Sequence, residues 1–492
     1  MDTYFKLQNG SDVRGVALEG VEGEPVTLTA DIARTIGYAF SLWLEKRIGK
    51  NGLKVAVGHD SRLSADMIKT AVAQGLEIGG CTVFDCGLAS TPAMFMSTVF
   101  ENHGYDASIM LTASHLPFNR NGMKFFVREG GLEKQEIKEI LSIATETGNI
   151  DPVELKNTTA ITLMDDYANH LVQIIRKGAD SDKPLDGLKI VVDAGNGSGG
   201  YFVEKVLNPL GADTAGSQFL DPDGSFPNHI PNPEDKDAMA AIISAVKDNN
   251  ADFGIIFDTD VDRAGAVDKN GKPINRNRFI AIMSTIVLSE HPGTTIVTDS
   301  VTSTGLKWWI EEKLGGTHHR FKRGYKNVIN ESVRLNASGT ESWLAMETSG
   351  HGALKENYFL DDGAYQIAKI LIKISQLKAE GKGTVDELIA ELPEPAEAIE
   401  FRPQILVEDF SAYADDVLEK FKSFVNQEQG WSLTPNNFEG VHVTCNRGWI
   451  LMRKSLHDPQ MPINVESDHL GGVKPLEEKV RAFLAQFDGL KL

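Results

Sequence analysis

The feature that most constrains the fold is a short apolar run ending in a polar turn, and it occurs three times. The runs are Lys54–Arg62, Lys189–Gly197 and Thr295–Ser300, and a stretch with helical spacing follows each of them. A buried strand that feeds a helix is the building unit of an α/β domain. The copies begin roughly a hundred residues or more apart, which is too far for a solenoid. The pattern therefore predicts three α/β domains of related design.

Length, charge and cysteine usage narrow the class of protein. A chain of 492 residues indicates about three or four domains. The net charge of −20 argues against non-specific nucleic-acid binding. The sequence has neither a signal peptide nor an apolar run of about 18 residues, so we expect no membrane partner. Cys81, Cys86 and Cys445 form no C-x-x-C motif or disulfide framework, which favours reduced thiols in the cytoplasm.

A serine with a neighbouring histidine follows the apolar run Ile109–Leu111, which we interpret as a buried strand. The cluster Thr112–His115 then lies at the carboxyl end of that strand, where open α/β sheets bind ligands. Ser114 is a hydroxyl nucleophile, and Lys124 follows ten residues later. A serine needs a base or an electrophilic partner for chemistry. These residues alone equally favour a polar loop that only caps a helix.

Three aspartates at alternating positions follow a second apolar run. Phe253–Phe257 leads into Asp258, Asp260 and Asp262, and packed carboxylates repel one another unless a cation joins them. The spacing excludes an EF-hand, because Lys269 stands where that loop needs a bidentate glutamate. Oxygen ligands indicate a hard cation such as Mg²⁺.

Two further stretches have alternative interpretations. Gly195–Gly200 follows a strand and formally fits G-x-G-x-x-G, the dinucleotide fingerprint, although Asp193 interrupts the strand end. The proline-rich residues 221–233 suit neither a helix nor a central strand and indicate a rigid connector. Linker-like residues 380–383 and 393–395 separate a small C-terminal domain.

The stretch Thr112–Lys124, T-A-S-H-x-P-x-x-x-N-G-x-K, resembles the phosphoserine loop of the α-D-phosphohexomutases, with Leu116 where that family usually has Asn. The family includes phosphoglucomutases, phosphomannomutase/phosphoglucomutases and phosphoglucosamine mutases. The resemblance implies that Ser114 carries a phosphoryl group. It makes His115 and Lys124 candidates for proton transfer.

The resemblance extends to the N-terminus and to the aspartates. Residues 9–15 resemble the family's first glycine turn, in which Arg14 would point at the phosphoserine. Residues 258–263 match the metal loop D-G-D-x-D-R, with Thr259 in place of Gly. The resemblance implies that Arg263 reaches the phosphoserine. The implied Mg²⁺ ligands are Ser114, Asp258, Asp260 and Asp262.

Two later segments resemble substrate-binding loops. The basic turn Phe321–Asn327 corresponds to a third-domain loop, and E-x-S-G-H at residues 347–351 corresponds to the sugar loop. Residues 449–459 occupy the place of the phosphate loop R-x-S-G-T-E-P, with Leu456 and His457 replacing Gly and Thr. The implied substrate-binding residues are Lys326, Glu347, Ser349, His351, Arg453, Ser455 and His457.

The family fold implies three similar mixed-sheet α/β domains plus a smaller α+β C-terminal domain around a central cleft. We place these at 1–155 for the phosphoserine, 156–267 for the metal, 268–392 for the sugar and 393–492 for the phosphate. The implied activity interconverts the 1- and 6-phosphates of glucose, mannose or both through a bound hexose 1,6-bisphosphate. The expected partner is a phosphosugar, and the expected state is a monomer or a dimer.

Three alternatives stay open at this stage. Within the family, glucosamine phosphate is the second substrate choice. Outside it, Asp258 after an apolar strand also resembles the aspartyl nucleophile of haloacid-dehalogenase-like phosphatases. A third alternative is a sugar-phosphate-binding relative that has lost turnover through its altered phosphate loop.

Overall fold

The computed structural model describes residues 3–446, 448–455 and 458–492. It divides the chain into two compact units. Unit 1 contains Met1–Asn275 and Ser349–Asp386, and unit 2 contains Arg276–Thr348 and Glu387–Leu492. Among the described residues, no helix combines the length and apolar character needed to cross a bilayer.

The first part of unit 1 is a mixed sheet with flanking helices. Its spatial order is β1-β2-β6-β5-β3-β4-β8, with β7 beside β6. Strands β5, β3, β4 and β8 are parallel, whereas β6 runs antiparallel to β5 and β2. The strands are β1 Gln8–Asn9, β2 Asp12–Val16, β3 Lys54–His59, β4 Thr82–Leu88, β5 Ala107–Leu111, β6 Arg120–Val127, β7 Gly130–Gly131 and β8 Thr158–Ala160. The helices are α1 Ala30–Ile48, α2 Ala65–Ile78, α3 Thr91–Met96 and α4 Lys134–Thr147.

Helix α1 shows how the sequence determines the bounds and the buried face of one element in this part. Its apolar residues recur at helical spacing, and Ile36 and Phe40 are fully buried in the core under the sheet. The hydroxyl of Thr29 accepts the Ile32 amide at 3.3 Å, and the helix ends at Gly49 with φ +72°. This is the cap chemistry that starts and stops a helix.

The next part of unit 1 is a four-stranded sheet in the order β12-β11-β10-β9. Strands β9 and β10 are parallel, and β11 runs antiparallel to β10. The elements are α5 Leu163–Ala179, β9 Ile190–Asp193, α6 Lys236–Asn249, β10 Phe253–Phe257, β11 Ala264–Asp268 and β12 Pro273–Ile274.

The glycine turn after β9 has a packing role. A Cβ on Gly197 would lie 2.6 Å from the Thr259 carbonyl oxygen, and one on Gly200 would lie 2.2 Å from the Leu220 carbonyl oxygen. A 3₁₀ turn and a π-helical turn, rather than an α-helix, follow this strand. The dinucleotide interpretation needs a helix at this position. The glycines instead permit close packing, of Gly197 against Thr259 in the loop that carries the three aspartates and of Gly200 against Leu220.

In the middle of the chain, Arg276–Thr348 belongs to unit 2 and Ser349–Asp386 belongs to unit 1. In unit 2, β13 is parallel to both β14 and β15. In unit 1, the Tyr167 hydroxyl of α5 donates to Asp362 at 2.8 Å, next to the start of α10. The elements are α7 Arg276–Glu290, β13 Thr295–Thr298, α8 Thr304–Trp308, β14 Thr317–Arg320, α9 Tyr325–Ala337, β15 Ser342–Met346, β16 Gly352–Leu354 and α10 Gly363–Ala379.

The C-terminal part of unit 2 is a five-stranded antiparallel sheet in the order β17-β22-β21-β20-β19. Helices α11 and α12 bury Phe421 and Phe483 in its core. The α+β prediction for this region is confirmed. The elements are β17 Glu397–Phe401, β18 Gln404–Ile405, α11 Phe410–Val425, β19 Trp431–Leu433, β20 Val441–Cys445, β21 Gly448–Met452, β22 Ile463–Ser467, α12 Val473–Leu484 and β23 Leu490–Lys491.

Candidate active site

Ser114 lies in unit 1, three residues after the end of β5, in a backbone conformation that is uncommon for serine. Its φ is +51°, and such residues concentrate at functional sites. The Ser114 amide donates to Thr112 Oγ1 at 2.8 Å, and the Ser114 hydroxyl donates to Asp258 Oδ2 at 3.1 Å. The side chain is buried, so its oxygen has a fixed position.

Arg62 fixes the backbone of the same loop. Its Nη2 donates to the carbonyl oxygens of Ser114 and Leu116 at 2.5 and 2.6 Å. Its Nη1 donates to those of Pro117 and Arg120 at 2.8 and 2.9 Å. One buried guanidinium therefore hydrogen-bonds four carbonyl oxygens of this loop and fixes its backbone.

The three aspartates converge directly after β10. One oxygen from each of Asp258, Asp260 and Asp262 lies within 4.8 Å of the others, and all three side chains are buried. Lys124, from β6, donates to Asp260 Oδ2 at 2.8 Å and to Asp262 Oδ2 at 2.5 Å. Within the protein, one ammonium thus offsets part of the repulsion that the sequence pattern implies.

The remaining oxygens fit a divalent cation. Asp260 Oδ1 and Asp262 Oδ1 are buried without a hydrogen-bond partner among the described residues. Burial and the adjacent Asp262 raise the pKa of Asp258 well above its usual value, so the ionised form of Asp258 is disfavoured until a further positive charge binds nearby. A hard cation that takes oxygen ligands satisfies both features.

Arg263 and His115 complete the surroundings of the serine. Arg263 Nη2 donates to Ser114 Oγ at 2.9 Å and to His115 Nδ1 at 2.7 Å. Burial lowers the pKa of His115 to about 3, with further contributions from the positive charges of Arg263 and Arg14. The imidazole is therefore neutral and accepts a hydrogen bond at Nδ1.

Arg14 lies on β2, which pairs with β6 so that Arg14 faces Gly122. Its Nη2 donates to Asp12 at 2.9 Å, and its charge acts on His115. A Cβ on Gly122 would lie 2.3 Å from the Val13 carbonyl oxygen. A larger residue than glycine therefore does not fit at this position. The strand pairing brings Arg14 toward the serine loop.

His351 and Ser349 also belong to unit 1. His351 Nδ1 lies 2.6 Å from Asp361 Oδ2, and the His351 backbone forms a bridge with Arg263. Burial lowers the pKa of His351, but Asp361 and Asp262 more than compensate and raise it to about 9. The predicted substrate histidine is thus a paired imidazolium next to the aspartate loop.

Glu347 and Lys326, two predicted substrate residues, lie in unit 2. Glu347 follows β15, and its Oε1 accepts the Gly324 amide at 2.6 Å. Lys326 lies in the first turn of α9, two residues after Gly324. The carboxylate therefore ties the predicted basic loop to the end of a strand.

A cleft of about 420 Å³ within unit 2 is lined by five cationic and three acidic side chains. Arg453 is buried, and no described residue hydrogen-bonds to its Nε. Ser455 Oγ accepts the Asp458 amide at 3.2 Å. The predicted residue His457 lies outside the described residues. The cations are Lys322, Arg323, Lys422, Arg453 and Lys454, and the acids are Asp415, Glu419 and Glu439.

Sequence reasoning missed several residues of these clusters. Arg62 occurs in the first repeated polar turn, but its position in the sequence does not identify its partners, which are carbonyls 52 or more residues away. Asp361 is ten residues from its histidine partner. The arginine in G-H-D-S-R, directly after a buried strand, was the available signal.

Comparisons with known proteins match most of the chain to described families. Residues 6–151, 165–271 and 275–396 match phosphoglucomutase/phosphomannomutase alpha/beta/alpha domains I, II and III. A phosphoglucomutase/phosphomannomutase from Thermococcus kodakarensis is 31% identical over 498 residues, covering 99% of this chain and 98% of the relative.

Two further similar proteins belong to the same family. A phosphomannomutase/phosphoglucomutase from Pseudomonas aeruginosa strain PAO1 is 30% identical over 463 residues, covering 92% of this chain and 91% of the relative. The crystal structure of a phosphoglucomutase/phosphomannomutase family protein from Burkholderia thailandensis matches with a TM-score of 0.79 and 27% identity. That match covers 98% of this chain and 97% of the other.

Proposed function

Since this chain belongs to the α-D-phosphohexomutase family, we propose that it interconverts the 1- and 6-phosphates of glucose, mannose or both. Phosphorylated Ser114 is the proposed phosphoryl carrier, and hexose 1,6-bisphosphate is the proposed bound intermediate. The observation that carries the proposal is the fixed Ser114 hydroxyl, which contacts Arg263 and Asp258.

In the proposed cycle a sugar hydroxyl oxygen attacks the phosphorus on Ser114. The new sugar O–P bond forms, the Oγ–P bond breaks, the hydroxyl proton passes to a protein base, and Ser114 Oγ takes up a proton. The bisphosphate then returns its other phosphoryl group to Ser114, so no free phosphate forms. Phosphoryl transfer of this kind depends mainly on positioning and electrostatics.

The proposed roles follow from the contacts. Arg263 donates to Ser114 Oγ and is placed to stabilise charge on that oxygen as it leaves. His115 and Lys124 are the proposed proton-transfer residues, and Arg14 adds positive charge. Mg²⁺ held by the three aspartates and an oxygen on Ser114 would offset charge on the transferring phosphoryl group.

We propose that a second set of residues binds the substrate. Glu347 and Ser349 would bind ring hydroxyls, while Arg453 would bind the phosphate that does not react. The cationic cleft around Arg453 supports this assignment. The other proposed contacts are Lys326, His351, Ser455 and His457.

Ser114 is favoured over Asp258 as the phosphoryl carrier. Asp258 Oδ2 accepts hydrogen bonds from Ser114 Oγ, Arg263 Nε and Arg263 Nη2 at 3.0–3.1 Å. An oxygen with three donors is a poor nucleophile, whereas the serine oxygen has an arginine donor to stabilise its departure. The phosphatase alternative would instead release free phosphate.

The proposal is tested by supplying the 1-phosphates of glucose, mannose and glucosamine separately, with the matching bisphosphate and Mg²⁺. We expect 6-phosphate product from glucose, mannose or both, no free phosphate, and loss of turnover in Ser114→Ala. Preferred turnover of glucosamine phosphate would replace the substrate assignment. Stoichiometric phosphate release would overturn the mutase assignment.

A further inference from the structure

The proline-rich residues 221–233, here called the proline segment, have contacts that the proposed mechanism does not use. Asn196 anchors the segment, since its side-chain Nδ2 donates to the Asp221 carbonyl oxygen and its Oδ1 accepts Asn228 Nδ2, both at 2.8 Å. His229 lies 3.1 Å from Asp193 at the end of β9. Prolines restrict the backbone between these anchors. The segment is therefore fixed to the second sheet independently of Ser114.

One contact of the proline segment is to Arg62. The Phe226 ring lies under the guanidinium, with 5.4 Å between the ring centroid and Cζ, which is within cation–π range. A Cβ on Gly224 would lie 2.4 Å from the Ser61 carbonyl oxygen, so the two backbones touch. Arg62 hydrogen-bonds the four carbonyls of the serine loop. Phe226 therefore packs against the residue that fixes the backbone of that loop.

The other contact is to Arg263. Asn232 Oδ1 accepts Arg263 Nη1 at 3.2 Å and the Glu234 amide at 3.0 Å. The amide contact orients the asparagine. The opposite nitrogen of the same guanidinium, Nη2, donates to Ser114 Oγ. Asn232 therefore holds one edge of the guanidinium whose other edge touches the reacting oxygen.

We propose that the proline segment positions both arginines that hold Ser114, with Phe226 and Asn232 as positioning residues for phosphoryl transfer. The inference rests on the proposed function. Nearby buried carboxylates attract Arg263, whose Nε lies 3.8 Å from Asp262 Oδ1. Without Asn232 the guanidinium can turn toward these acids and away from Ser114 Oγ. Small misplacements of a reacting group reduce turnover more than binding.

The experiment measures kcat and KM for hexose 1-phosphate in Asn232→Leu and Phe226→Leu. We expect Asn232→Leu to lower kcat about 10-fold, and Phe226→Leu about 5-fold, with KM within twofold of wild type. Asn232→Asp keeps an acceptor for both donors and should retain kcat within about threefold. Phe226→Tyr keeps the ring face and should do the same.

Ser225→Ala is the matched control, because Ser225 is exposed in the same segment and its hydroxyl bonds Asp223 rather than an arginine or an anchor of the segment. It should keep wild-type kcat at a comparable melting temperature. Wild-type kcat in Asn232→Leu, or equal losses in Ser225→Ala and Asn232→Leu, would overturn the proposal. If Asn232→Leu does not fold, the Phe226 pair decides in the same way.

A second measurement separates this inference from the proposed function. The rate at which labelled hexose 1,6-bisphosphate phosphorylates Ser114 is followed by mass spectrometry, which requires no turnover of substrate. If wild type phosphorylates Ser114 but shows no mutase turnover, the proposed function fails, and slower labelling in Asn232→Leu still supports the positioning role. Equal labelling rates would overturn the positioning role, and an unlabelled wild-type Ser114 would overturn both.

Discussion

The serine cluster of unit 1 and the cationic cleft of unit 2 use charge in different ways. Around Ser114, Lys124 and Arg263 are buried and bonded to buried carboxylates, so each atom has a fixed neighbour. In the cleft, Lys454 pairs with the exposed Asp415, and buried Arg453 keeps an unpartnered Nε among the described residues. One region is held by its own contacts, and the other offers donors to a ligand.

This difference predicts how substitutions in the two regions affect the kinetics. A buried cluster tolerates few changes, because removing one partner leaves an unpaired charge. A solvent-facing cleft binds an anion through cations that can be replaced individually. We therefore expect substitutions in the first region to affect kcat and those in the second to affect KM.

The largest expected effect is that of Ser114→Ala. Removing the proposed phosphoryl carrier should lower kcat on the order of 10⁴-fold or more, because no covalent route remains. Binding of hexose phosphate to the cleft should persist, as measured by calorimetry. Retained turnover would mean that the buried cluster does not carry the phosphoryl group.

Asp260→Asn should lower kcat on the order of 100-fold and raise the Mg²⁺ concentration needed for half-maximal activity, because it removes one charge of the proposed metal site. The measurement is kcat against Mg²⁺ concentration. Asp252→Asn, a carboxylate before the start of β10 that accepts the Lys189 amide, is the control and should behave as wild type. Unchanged activity in excess chelator would remove the metal from the account.

Arg453→Ala should raise KM by about 30-fold, which corresponds to on the order of 2 kcal/mol for a lost charge-assisted contact. The same variant should keep kcat within about threefold. Lys454→Ala is the matched control with a smaller expected effect, because its ammonium already contacts Asp415 at 2.7 Å. If kcat falls while KM stays unchanged, the contrast between the two regions is wrong.

The smallest effect on activity is expected for Glu466→Gln in the C-terminal sheet. Burial raises the pKa of Glu466 to about 7, while the Trp449 indole, at 2.9 Å, and Arg320 oppose this shift and Asp468 adds to it. The folded state then binds a proton that the unfolded state has lost, so stability falls as pH rises from about 4.5 to about 7. Relative to Glu466→Gln, wild-type Tm should drop by about 2–4 °C over this range, with kcat and KM unchanged. Parallel Tm profiles would contradict this.

Much of the buried cluster was predictable because its residues lie close together in sequence. The run of apolar residues before Asp258 and the run before Ser114 each predicted a strand, and both strands are present as β10 and β5. The alternating positions of Asp258, Asp260 and Asp262 predicted that their carboxylates would lie close together. Local patterns of this kind carry periodicity and turn chemistry directly.

The rest depended on contacts between distant segments. Asn232 is 31 residues from Arg263, and Lys124 is more than a hundred residues from both aspartates that it bridges. Neither pairing leaves a periodic trace in the chain. The proline segment was correctly predicted to be an irregular connector, but its two arginine contacts emerge only from the folded structure.

The central claim is that Ser114 is the covalent phosphoryl carrier, and its most direct test is the chemical location of the transferred group. Protein is incubated with labelled hexose 1,6-bisphosphate and Mg²⁺, digested, and analysed by mass spectrometry with and without hydroxylamine. The account predicts a hydroxylamine-stable phosphate on Ser114 that a hexose monophosphate removes without release of free phosphate. A hydroxylamine-labile label on Asp258, with free phosphate in solution, would contradict it.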